Sequence, residues 1–103
     1  MIQITDESIE KCLNDMQKYE QWGNLLAGQC LVNSFNSNAP ISALAIHNGL
    51  EYTKAKMKLN VLQDNSHTKE EKENRLNQID TDIHHTEEIM KHDLEYRGLL
   101  MYP

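Results

Sequence analysis

Thirty consecutive residues, Gln21 to Leu50, contain no aspartate, glutamate, lysine or arginine, although a quarter of the chain is charged. A stretch of that length and composition calls for burial or cover. It is not a membrane span, because Asn24, Gln29, Asn33, Asn36, Asn38 and Asn48 interrupt it and no apolar run approaches the roughly 18 residues a span needs. It is rich in small residues: Gly23, Ala27, Gly28, Ser34, Ala39, Ala43, Ala45 and Gly49. Gly23 with Ala27, and Ala45 with Gly49, are pairs four apart, which stack on one helix face and let a second backbone come close.

Two readings of the stretch follow. In one it is the dry heart of the monomer. In the other it is also covered by a second copy or a target, since depletion of charge beside amides and aromatics is what interface cores look like. The chain has 103 residues, and a domain of that size buries only about 60–65% of its unfolded surface. The interface reading is therefore the expectation. Its residues are Trp22, Gly23, Leu26, Ala27, Cys30, Phe35, Ala45 and Gly49, with Trp22 as the principal anchor.

The hydrophobic spacing predicts an all-α chain of three helices in one domain, residues 1–103. Helix 1 is expected over about 5–35, with Thr5 as N-cap, acids in the first turn and a staple from Ile4 to Ile9. Its stripe is Ile9, Leu13, Met16, Gly23, Leu26, Ala27, Cys30, Leu31 and Ser34. Asn38 and Pro40 suit the start of helix 2, over about 39–63, with Ala43, Ile46, Leu50, Met57 and Val61 on its apolar face. Asp64-Asn65-Ser66 is turn chemistry. Thr68 and Glu71 match a capping box opening helix 3, over about 68–97, with the stripe Leu76, Ile79, Ile83, Met90 and Leu94. Gly98 is a natural stop. Short connections favour an antiparallel arrangement, a helical hairpin plus a long third helix. Beyond Gly98 the tail 98–103 carries Leu99, Leu100, Met101 and Tyr102, four large apolar side chains expected to dock on the bundle or on a second subunit.

Few residues suggest chemistry. His84, Glu88 and His92, with His85 adjacent, follow a helical spacing, but i, i+4 and i+8 span about 12 Å and cannot share one ion. No metal site and no cofactor are expected. Lys54, Lys56 and Lys58 form the one basic cluster. Lys54 and Lys58 share a face and, with Tyr52, could hold a phosphate or nucleotide; the plainer reading is a solvated face with Glu51 paired to Lys54. Cys12 and Cys30 lie about 27 Å apart on one helix, too far for a disulfide, and read as reduced core residues. His47 could serve a cysteine as base, but apolar surroundings disfavour a thiolate. The four glycines fit no phosphate loop.

Sixteen acids against ten bases give a net charge of −6. Such a chain repels a phosphate backbone, so direct nucleic-acid binding is not expected. The N-terminus has neither the basic region nor the apolar core of a secretory signal, and the expected location is cytoplasmic. The expectation is thus a non-enzymatic interaction protein, a homo-oligomer with a dimer as first guess. It binds and blocks or adapts a macromolecular partner, as small phage or mobile-element inhibitors of similar composition do by analogy alone. The alternative is an oligomeric binder of a small anion.

Overall fold

A computed structural model describes residues 6–34 and 39–102. Its elements are helices α1 (Asp6–Ser34), α2 (Ala43–Gln63) and α3 (Lys69–Tyr96), with two-residue strands β1 (Ile41–Ser42) and β2 (Leu100–Met101). The expected cap Thr5, the staple residue Ile4, the cap Asn38 and the interface residue Phe35 lie outside the described residues.

The middle helix is the one the other two share. α2 buries Ala45, Ile46, Gly49, Leu50, Ala55, Leu59 and Leu62. At about 100° per residue these positions spread over more than half of its circumference. Both α1 and α3 pack on it, and they meet each other only slightly. One cluster joins Leu26 of α1, Ile41, Ile46 and Leu50, Ile79, Ile83 and Leu94 of α3, and Leu99. A smaller one joins Cys12, Leu59, Leu62 and Leu76, with Ile9 and Met16 against it.

Small residues set the approach of α1 to α2. A Cβ built on Gly49 would lie 2.7 Å from Leu26 Cβ, and one on Gly23 would lie 2.5 Å from the Tyr52 ring. Backbones this close leave no room for a side chain at either position. α1 packs mainly on one helix, so its buried stripe is narrower than its sequence pattern. Cys12 and Leu26 are buried, whereas Leu13, Leu31 and Cys30 of the expected stripe are exposed.

The helix ends follow local chemistry with one exception. Thr68 and Glu71 form the capping box: Thr68 N–H donates to Glu71 at 3.0 Å and Glu71 N–H to the Thr68 hydroxyl at 3.2 Å. α3 ends in a Schellman turn. Gly98 sits at φ 72°, its N–H donates to Glu95 O, and Leu99 N–H donates to Leu94 O at 2.8 Å. The exception is α2, which starts at Ala43 rather than near residue 39. Ile41 N–H donates to Leu99 O at 2.8 Å, and β1 pairs in parallel with β2, Ile41 opposite Leu100. That pairing holds the chain extended, and the Ser42 hydroxyl then caps the helix by accepting from Leu44 N–H.

Candidate protein-interaction surface

The helix pairing splits the uncharged stretch into an inner and an outer half. On the inner half, Leu26, Ala45 and Gly49 are buried between α1 and α2, with Ala45 only 1% exposed. Gly23 is closed over by Tyr52. These four belong to the chain's own helix contact and offer no free surface. Trp22 is half-buried, and its carbonyl faces Gly49. On the outer half, Ala27 and Cys30 are exposed as an interface needs.

The outer half also shows the stripe residue Leu31 and, beside it, Leu25, Val32 and Leu44, which the sequence pattern did not single out. Leu25, Leu31 and Val32 are 45%, 60% and 46% exposed, and Leu44 on the first turn of α2 is exposed as well. A shallow groove runs between Asn24, Leu25, Gly28, Gln29, Val32 and Ala39. In it Gln29 Oε1 is shielded from solvent with no hydrogen-bond partner among the described residues, an arrangement that costs about 1–3 kcal/mol unless a donor arrives. The seven-residue spacing of Leu25 and Val32, two turns apart on one helix face, is the signal that could have flagged them.

The proposed anion site is brought together in part. Lys54 and Lys58 line a cleft of about 330 Å³ with Lys11, Cys12, Asp15, Glu51 and Asp80. Every lysine there holds a carboxylate: Lys54 to Glu51 at 2.9 Å, Lys58 to Asp80 at 2.6 Å, Lys11 to Asp15 at 3.0 Å. Tyr52 is not part of it, because its ring packs on Gly23. An incoming anion would have to displace these acids. Burial pushes the Cys12 thiol up despite Lys58 and Lys11 nearby, which opposes thiolate chemistry. His47 is not beside it: its Nδ1 lies 3.0 Å from Glu87 on α3. Burial works to raise the Glu87 carboxyl, but hydrogen bonds from His47 and Lys91 outweigh it and hold it low.

His84, His85 and His92 are exposed on α3, and among the described residues no three His, Cys, Asp or Glu side chains converge on a metal position. No described helix is long and apolar enough to cross a membrane. The tail docks through Leu99, which is buried, and Leu100, which is half-buried; Met101 and Tyr102, expected to dock as well, are exposed. Parallel pairing alternates the tail's side chains, so only part of it can face the core. Compared with known proteins, the chain matches no family model, no curated protein and no solved structure.

Proposed function

We propose that the protein is a non-enzymatic interaction module, a small acidic inhibitor or adaptor of the phage type by analogy of size and composition. It works in the cytoplasm, self-associates, with a dimer as the simplest form, and binds a macromolecular partner. The observation that carries this reading is the charge-free outer face of α1, where Leu25, Leu31 and Val32 stand in water beside Ala27, Gly28 and Cys30. Apolar side chains grouped without intervening charge mark association surfaces. The lysines of the cleft are already engaged by acids, which weighs against the anion-binding alternative. The same reading takes the bundle as antiparallel. Gly49 lies against Leu26 and Gly23 against Tyr52, while Leu59 and Leu62 cluster with Cys12, so rising numbers in α2 meet falling numbers in α1.

Two substitutions test it. Ala45→Glu buries an unpaired charge in the helix contact and should unfold the chain. Ala27→Glu, on the outer face, should keep the helical circular dichroism and melting temperature while light scattering shows the assembly reduced to monomers. A wild type that is monomeric at high concentration, with no loss of any binding in Ala27→Glu, sinks the proposal.

A further inference from the structure

A second stripe lies on α3, opposite the one that packs on α2. At about 100° per residue, His85, Ile89, His92 and Tyr96 fall along one line of the helix. Leu76, Ile79, Ile83 and Leu94 fall on the other side and are buried. The four-three-four spacing is that of a coiled-coil seam. Ile89 is 55% and Tyr96 88% exposed, and both histidines are exposed. A shallow groove follows the stripe, lined by those four residues with Glu88 and Asp93.

The borders of the stripe are acidic on both sides. On the same helical projection Asp82 and Asp93 lie along one edge, Glu88 and Glu95 along the other. From Asp80 to Tyr96 there are six carboxylates and one lysine, Lys91, a net charge of −5 in a chain whose total is −6. Arg97 reaches Asp93 at 3.4 Å and Lys91 reaches Glu88 at 4.0 Å. Both are loose surface pairs, which hold their partners weakly.

We infer that this outward face of α3 is a docking surface for a basic amphipathic segment of another protein. Apolar side chains of the segment meet Ile89 and Tyr96, and its lysines or arginines meet the two carboxylate edges. The charge pattern selects this occupant. A second copy of the face would set acid against acid on both flanks. Nucleic acid and an anionic lipid surface would be repelled for the same reason. A helix with apolar residues at seam positions and cations beside them satisfies the stripe and its borders at once, and His85 and His92 present flat rings on which guanidinium groups stack. The face is distinct from the outer surface of α1, so it stands whether or not that surface self-associates.

The test uses three designed helical peptides of about 20 residues: one with leucines at the seam and lysines beside them, one with leucines and glutamates, and one with serines and lysines. Each is titrated into the full chain labelled for amide resonances. The leucine–lysine peptide should bind, moving the amides of residues 82–96 and no others strongly. The other two should bind at least about tenfold more weakly. Ile89→Ser and Tyr96→Ser leave the net charge unchanged and should each weaken binding about tenfold. Glu88→Gln with Asp93→Gln should weaken it and flatten its decline with salt. All four positions are solvent-facing, so circular dichroism should stay that of the wild type. Ala27→Glu should bind the peptide as the wild type does, which separates this proposal from the self-association above. The proposal is overturned by any of three results: no binding of the leucine–lysine peptide, equal binding of the serine–lysine peptide, or affinity unchanged by Ile89→Ser and Tyr96→Ser.

Discussion

Adding one methyl group at Gly49, and the same methyl group at Gly28, should move stability in opposite directions. Both glycines lie inside helices. Replacing a helical glycine by alanine favours folding by about 0.5–1 kcal/mol where there is room. A Cβ on Gly28 meets nothing within 4 Å, so Gly28→Ala should show that gain. A Cβ on Gly49 would sit 2.7 Å from both Leu26 Cβ and Leu26 Cδ2, and 3.1 Å from Trp22 O. Leu26 Cβ and the Trp22 carbonyl are tied to the α1 backbone, so no rotamer change relieves the contact and the helices must separate. Overpacking of that kind costs about 1–3 kcal/mol. With the helix gain set against the upper end of that cost, Gly49→Ala should destabilise by about 2–2.5 kcal/mol, a fall of about 8–20 °C in melting temperature for a chain of this size. Leu26→Ala removes Cδ2 but keeps the Cβ that lies 2.7 Å from the added methyl group, so in the Gly49→Ala background it should cost only somewhat less than alone. Urea melts followed by circular dichroism measure all four variants. If Gly49→Ala stabilises as much as Gly28→Ala, the close approach of α1 and α2 is wrong.

Two further perturbations address the turn and the tail. Removing residues 99–103 should expose the Ile41 amide, which donates to Leu99 O; its hydrogen exchange should accelerate to that of an open turn, and unchanged protection would contradict the strand pairing. Hydrogen bonds from the Ser66 hydroxyl and backbone N–H, and then from His67, lower the Asp64 carboxyl from 3.8 to about 2. A carboxyl lowered on folding stabilises above its unfolded value, and that contribution fades as pH falls from about 4 to about 2. Asp64→Asn should therefore show a shallower loss of urea midpoint than the wild type across that window, and parallel curves would show that the turn is not coupled to folding.

What could be read in the sequence was what neighbouring residues decide among themselves. The capping box at Thr68 and Glu71, the Gly98 stop and the Glu51–Lys54 pair all lie within a few residues of their partners, and all are present. The start of α2 went astray because Ile41 answers to Leu99, at the far end of the chain. Lys58 looked free for an anion because its partner, Asp80, sits on another helix. Periodicity placed Leu13 and Leu31 on the apolar face of α1, but it cannot say how many neighbours a face will have. α1 has one main neighbour, so the edges of its stripe stay in water. The small residues were informative in kind, yet nothing in their spacing told Gly49, against Leu26, from Gly28, against open space.

The short β1–β2 pair has a bearing on how α3 would receive the proposed segment. At one end α3 is held by the Asp64–Thr68 turn, where the Lys72 ammonium also donates to Leu62 O at 3.3 Å. At the other end Leu99 and Leu100 tie it back to Ile41, just ahead of α2. Contacts at both ends restrain a helix from fraying, so a segment docking on its outer face as proposed would meet a surface already ordered. An incoming segment then loses its own conformational freedom but orders nothing in the receiving helix, which favours slow dissociation without added contact area.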